Sequence, residues 1–393
     1  MRSRLTPTAL AVAALLTPLF LVSCESTGSE AAAVQEGAVR AGMPTMAARD
    51  TQEEFGPYMR PTAWPNWFAN HEGWTNPSSG AIYAESPDRI WVAARGEVGV
   101  DGGPNEGERR WHHVIYAVNS DGQVVEEWPQ HDAMFSLEGG RGPHKIKMNP
   151  YDPEKHIWVI DDQLHQIFRF TYDGQLDHTL GTLLTPGRGP NNFARPTDIA
   201  FLPDGTYFIS DGYDGTRVAK FDPNDNFVMD WGQEPADPDN PGPNEFNTVH
   251  SIAISSDRMI YVVDRAHARI QVFDENGNFQ FMFSTGERDR SRPYAHEIMM
   301  DPQTGQEYIW VADGGTHRIL KFDLEGNFLY TWGIAGAGIG QFAGPHSLST
   351  DQDGNLYTAE VFNNRLQQWI PRPGADPAKL AGQLLRQYTP TID

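Results

Sequence analysis

An all-β fold, a six-bladed β-propeller with four antiparallel strands to a blade, is what this sequence predicts, and three observations predict it. A unit of roughly 50 residues recurs from about residue 77 to about residue 388. Each copy holds about four short runs rich in β-branched and aromatic residues, divided by Asp-Gly, Asn-Gly and Pro-containing turns. Four short strands at this period make a propeller blade, because each twisted sheet buries its faces only against its neighbours.

The copies can be followed in order. Their clearest portion is an apolar run, an acid, a loop, a basic or polar residue and an aromatic before a turn. It reads IWVIDDQLHQIFRFTYDG, YFISDGYDGTRVAKFDPNDN, IYVVDRAHARIQVFDENG, IWVADGGTHRILKFDLEG and LYTAEVFNNRLQQWIPRPG. Gln166, Arg217, Arg269, Arg318 and Arg365 align at spacings of 51, 52, 49 and 47 residues. RIWVAARGEV…HHVIYAVNSDG is a more divergent first copy with a longer internal loop, which brings the number of blades to six. In the fourth copy the four strands are expected at HSIAIS, MIYVVD, RIQVFD and FQFMFS.

The chain before the repeats has a different character. Arg2 and Arg4 precede an apolar stretch from Ala9 to Val22, too short to span a bilayer comfortably and of the length of a signal-peptide core. It ends in Leu21-Val22-Ser23-Cys24, which resembles the lipobox of bacterial lipoproteins, and Cys24 is the single Cys of the 393 residues. The resemblance implies removal of residues 1–23, a lipid on Cys24 and a lipid-anchored place in the bacterial cell envelope, periplasmic or at the cell surface. Residues 24–55 read as the lipidated Cys and a flexible tether, rich in Ala, Ser, Gly and Glu, and 56–393 as the propeller. With 30 Lys and Arg against 52 Asp and Glu, the net charge of −22 argues against nucleic acid as a partner. It leaves the lipid as the attachment to the membrane. A propeller of this size is expected to work as a monomer.

Propeller geometry selects candidate site residues from the repeat alone. The start of the innermost strand and the end of the second strand share one face of the ring. The inner-strand slot reads Gly80, His144, Thr197, His250, His296 and His346 in successive blades. His144, His250 and His346 fall in alternate blades, so their side chains lie about 120° apart around the axis, the pattern of an open three-His site of the kind catalytic zinc occupies. His296 breaks the alternation and leaves three roles open, a fourth ligand, a group that supports the ligands from behind or a proton carrier, of which the supporting role is preferred. At the end of the second strand, Arg95 and Arg265 share a slot three blades apart, and two guanidiniums beside a metal suit a substrate, small molecule or peptide, that bears a carboxylate. Tyr213 occupies the matching loop of the third blade. Cationic neighbours stabilise a phenolate, which makes Tyr213 the expected general base. Trp111-His112-His113 looks like a ligand cluster, but it is read as part of the first blade's third strand, where adjacent residues point to opposite faces.

The repeats resemble NHL repeats. In detail the order resembles the catalytic core of peptidyl-α-hydroxyglycine α-amidating lyase over roughly residues 88–367. The matching stretches are Gly142-Pro143-His144 followed by DDQLHQIFRF, NNFARPTDIAFLPDGTYFISDGY, VHSIAI with VVDR, and GPHSLS. The resemblance implies a zinc enzyme that splits a carbinolamide into an amide and glyoxylate. His144, His250 and His346 would bind Zn²⁺, Arg95 and Arg265 would engage the substrate, and Tyr213 would act as base. It also implies a structural Ca²⁺ in the channel. The acid that helps to hold that ion in the family is Ser347 here, although the Ile146 carbonyl occupies a matching position. The family's Met two residues before the third zinc His is Gly344, its disulfides have no counterpart in a chain with one Cys, and His296 lies outside its pattern. Two other readings stay open. One is a metal-dependent lactonase or hydrolase on a six-bladed propeller, whose sites favour carboxylate and Asn ligands; the other is a non-catalytic NHL binding module.

Overall fold

The computed structural model describes residues 54–65, 68, 71–75, 77, 79–286, 295–300 and 308–381. Cys24 and the leader and tether assigned around it lie outside these residues. Six antiparallel sheets follow one another along the chain, as the repeat predicts. Blade 1 comprises Ser79–Ser86, Arg89–Ala94, Ile115–Val118 and Val124–Glu127, and blade 2 Lys145–Met148, Ile157–Asp161, Gln166–Phe170 and Leu176–Leu180. Blade 3 comprises Pro196–Phe201, Tyr207–Asp211, Arg217–Phe221 and Phe227–Trp231, and blade 4 Val249–Ile254, Ile260–Asp264, Arg269–Phe273 and Phe279–Ser284. Blade 5 comprises Ala295–Met299, Tyr308–Asp313, Arg318–Asp323 and Phe328–Trp332. Blade 6 has Pro345–Thr350, Leu356–Glu360 and Arg365–Trp369, and its outer position is met by the N-terminal segment. Tyr58 forms an antiparallel bridge with Pro371. The Tyr58 ring packs 5.3 Å from Trp332 and 6.4 Å from Trp369, so the segment that precedes blade 1 caps the last blade.

The recurring acid and base of the sequence are a strut. Asp211, Asp264 and Glu360, each closing the second strand of its blade, accept Nε of Arg217, Arg269 and Arg365 at 2.9, 2.8 and 3.0 Å. The same carboxylates accept the backbone N–H of Ala194, Asn247 and Ala343, which lie in the loops leading into the inner strands. Those loops in turn accept the N–H of Tyr213, Arg265 and Phe362 through the carbonyls of Arg195, Thr248 and Ala343. In each of these three blades one carboxylate therefore ties the third strand, the entry loop and the residue facing the channel into one unit, and its charge is matched by a guanidinium where burial would otherwise be costly.

A second device repeats at the channel. The register of the inner pair slips by one residue between Ser79 and Ala81, Pro196 and Asp198, Val249 and Ser251, Ala295 and Glu297, and Pro345 and Ser347. Gly80, Thr197, His250, His296 and His346 are the extra residues of these bulges. A bulge leaves its residue out of the ladder and re-aims its side chain, and here it does so at one level of the ring. His144 sits just ahead of its strand at the same level, with its N–H donated to the Ile160 carbonyl at 2.7 Å.

Candidate metal centre

The alternation read from the repeat becomes a cluster in space. His144, His250 and His346 are buried, and one ring nitrogen of each lies within 4.8 Å of the others. Ring centroids are 4.8, 4.8 and 5.1 Å apart with interplanar angles of 74, 77 and 87°. Each ring is fixed from behind by the neighbouring blade: Nδ1 lies 2.7 Å from the Thr197 carbonyl for His144, 2.6 Å from the His296 carbonyl for His250 and 2.8 Å from the Gly80 carbonyl for His346. A carbonyl only accepts, so each Nδ1 carries the proton and donates it. Burial holds all three imidazoles well below the ordinary His value, so they are neutral and Nε2 is a bare lone pair.

These bare nitrogens point at one another. His144 Nε2 and His250 Nε2 are 3.3 Å apart with no proton between them, an arrangement that a cation relieves. Two imidazoles on a tetrahedral ion with Zn–N bonds of about 2.0–2.1 Å have nitrogens about 3.3–3.4 Å apart. Locked tautomers, neutral rings and this spacing fit a divalent metal held by His144, His250 and His346.

The other sequence candidates surround the triad. The Tyr213 hydroxyl is 3.2 Å from His144 Nε2 and 3.0 Å from His250 Nε2, and Arg265 Nη1 donates to it at 3.4 Å. Arg265 thus reaches the triad through the Tyr213 hydroxyl, whereas Arg95 is held at the carbonyl of Pro143, the residue before His144. Arg95 is only 8% exposed; its Nε donates to the Pro143 carbonyl at 3.2 Å, and its Nη2 has no hydrogen-bond partner among the described residues. A buried, half-satisfied guanidinium beside a metal site is suited to an incoming carboxylate.

His296 donates Nδ1 to the Pro345 carbonyl at 2.9 Å, and its ring lies against Gly314, where a Cβ would come within 1.9 Å of it. Its ring is 5.5 Å from that of His250 and 5.2 Å from that of His346. The link it makes to the triad is through its own carbonyl, which holds His250.

Several residues escaped the sequence reading. Asp162 occupies in blade 2 the slot of Arg95 and Arg265, and its Oδ2 accepts Arg141 Nη2 at 3.0 Å and Arg195 Nε at 3.1 Å. The Arg195, Arg265 and Arg141 guanidinium carbons then lie 4.5, 5.0 and 5.3 Å from the Tyr213 ring centre. Arg195 takes φ +66°, as Gly142, Thr248 and Gly344 do at the matching positions two residues before the slot. Glycine meets that conformation without strain, and Arg195 holds it despite its side chain. The only signal for Asp162 was its slot, and nothing in the repeat marked Arg141 or Arg195, which lie in loops between blades.

Two expectations need revision or qualification. His112 and His113 lie ahead of the first blade's third strand, Ile115–Val118, and not within it. His113 bonds Glu127 at 2.6 Å and stacks on Phe68 at 3.7 Å, away from the triad. Below the triad, Lys145 Nζ lies 3.0 Å from Glu297 and Lys147 Nζ 2.8 Å from Asp198. Ser347 Oγ meanwhile accepts the Ile82 N–H at 3.3 Å. A Ca²⁺ in the channel would have to compete with ammonium groups already paired to its carboxylates.

No protein-family model matches the chain. It is 30% identical over 257 residues to peptidyl-glycine alpha-amidating monooxygenase A of Xenopus laevis, a match that covers 63% of this chain and 27% of that protein. It is 28% identical over 260 residues to peptidyl-alpha-hydroxyglycine alpha-amidating lyase 1 of Drosophila melanogaster, covering 61% and 46% respectively. To the mouse NHL repeat-containing protein 3 it is 25% identical over 252 residues, covering 60% and 69%. The chain thus spans less than half the length of either amidating relative. Its distant relatives are peptidyl-glycine amidating monooxygenases, peptidyl-α-hydroxyglycine amidating lyases and NHL-repeat proteins.

Proposed function

We propose that the protein is a zinc-dependent lyase that cleaves the C–N bond of an N-acyl or peptidyl α-hydroxyglycine, releasing an amide and glyoxylate. The observation that carries this reading is the buried triad of proton-free Nε2 atoms with the Tyr213 hydroxyl 3.0 Å away and guanidiniums on its flanks. The names of the distant relatives support it. A zinc ion at the triad would supply Lewis acidity toward the substrate's hydroxyl oxygen. Arg95 or Arg265 pairs with the substrate carboxylate and so orients the carbon that bears the hydroxyl. Tyr213, as phenolate, takes the hydroxyl proton. The O–H electrons become the C=O bond of glyoxylate as the C–N pair leaves with nitrogen. The proton held on Tyr213 oxygen then passes to that nitrogen, so atoms and charge balance and the tyrosine ends as it began.

The test is glyoxylate release from a small N-acyl-α-hydroxyglycine by the zinc-loaded protein. Tyr213→Phe should retain one zinc and lose about a hundredfold or more in kcat, the usual scale of a general base; full activity in that variant would remove Tyr213 from the mechanism. The assignment of Cys24 as a lipid-bearing residue at the cell envelope belongs to the same proposal. Fatty-acid labelling of the wild type that is lost in Cys24→Ser would support it, and labelling that persists would refute it.

A further inference from the structure

Around the mouth of the site the blades differ in chemistry. Blades 1 to 4 and their entry loops bring Arg95, Arg141, Arg195, Arg265 and Tyr213 to it. In the same slots, blade 5 contributes Gly314 and blade 6 Val361 followed by Phe362. Phe362 stands in blade 6 where Tyr213 stands in blade 3, three blades away around the ring. Its N–H is donated to the Ala343 carbonyl in the entry loop of its blade at 3.2 Å, as the Tyr213 N–H is donated into the entry loop of blade 3.

Phe362 is 60% exposed, the most exposed of the large hydrophobic side chains among the described residues. A single exposed apolar residue is ordinary, but this one is held in place. Gly344 takes φ +67°, and a Cβ there would come within 2.5 Å of the Phe362 ring. The Phe362 ring therefore fills the space that a side chain two residues before His346 would use. It meets the rings of His296 and His317 at 6.4 and 6.2 Å with interplanar angles of 80 and 81°. His296 in turn lies 5.2 Å from His346. An apolar face open to solvent is thus fixed one ring away from the triad, on the side that lacks the guanidiniums of the slot.

We propose that Phe362 is a specificity-determining residue. It is the platform for the acyl side of the substrate, so the preferred carbinolamides carry a large apolar or aromatic group next to the amide, opposite the carboxylate that the arginines hold. This rests on the lyase reading for the orientation of the substrate; the platform itself can be tested by binding alone.

The experiment compares N-benzoylglycine with N-acetylglycine, which lack the hydroxyl and cannot react, by calorimetric titration of the zinc-loaded full chain. The wild type should bind the benzoyl compound about tenfold tighter, the scale of burying one ring. Phe362→Ala should abolish most of that preference, and Phe362→Leu should keep part of it. Equal affinities in the wild type, or a preference that survives in Phe362→Ala, would overturn the proposal. Glyoxylate release from the corresponding α-hydroxy compounds is measured alongside. A Phe362-dependent preference without any glyoxylate would uphold the platform and reject the lyase reading, so the two fail separately.

Discussion

Blades 2, 4 and 6 and blades 1, 3 and 5 bring a residue to the same level of the channel and use it in opposite ways. The first set presents His144, His250 and His346 at the inner-strand slot; the second presents Thr197, His296 and Gly80, whose carbonyls receive the Nδ1 protons of the first. Ligands and the groups that orient them therefore alternate around the ring. A metal-binding His needs its far nitrogen held, because that bond fixes both tautomer and ring angle. Six-fold repetition answers the need by giving every ligand blade a carbonyl neighbour at the same height. The comparison also shows why side-chain identity matters in one set and hardly at all in the other: a carbonyl can be offered by Gly, Thr or His alike.

Breaking a ligand should have the largest effect. His250→Ala leaves two imidazoles and an opening where the third stood, so bound zinc should fall from one per chain to none and turnover to background, measured by metal analysis and glyoxylate release. A variant that still binds one zinc with unchanged affinity would show that the triad is not the metal site.

Disturbing a carbonyl should cost less. Gly80 supplies the acceptor for His346, and a Cβ at Gly80 would approach the Pro143 carbonyl to 2.2 Å and Arg95 Nε to 3.3 Å. Gly80→Ala should then shift the backbone that orients His346 and lower zinc affinity by about 10–100-fold, the range seen when the group behind a ligand is lost. Zinc affinity at the wild-type level, read by competition with a chromogenic chelator, would mean that His346 does not depend on this carbonyl.

How much of this could be read in advance follows from where the repeat reaches. His144, His250, His346, Arg95, Arg265 and Tyr213 were legible because each occupies a slot whose direction the strand period dictates. The recurring acid and base of the later copies were visible as a pattern, but their role as struts that tie entry loop to second strand needed coordinates. Arg141 and Arg195 stayed hidden because loops between blades have no period to count from. Asp162 and Phe362 were in register with Arg95 and Tyr213, yet their opposite charge and missing hydroxyl concealed them from a search for like residues. The cap that Tyr58 places on blade 6 was invisible for a different reason: it joins residues more than 300 positions apart that no repeat relates.

The smallest effect, and the sharpest test of the comparison, concerns His296, the one carbonyl-bearing residue that also carries an imidazole. If its contribution is the carbonyl, removing its ring should leave His250 oriented, and His296→Ala should keep one zinc with affinity within about threefold of wild type, well short of the loss expected when the group behind a ligand goes. Gly314→Ala should do more harm than His296→Ala, since the new methyl would lie 1.9 Å from the His296 ring and must displace it, straining the main chain whose carbonyl holds His250. Combining the two changes removes the ring that the methyl strikes, so the double variant should recover the zinc affinity of His296→Ala alone. The couplings are non-additive because the two residues touch. Were Gly314→Ala harmless, or the double variant as weak as Gly314→Ala, the carbonyl would not be what His296 contributes, and its imidazole would have to be assigned a role of its own beside the metal.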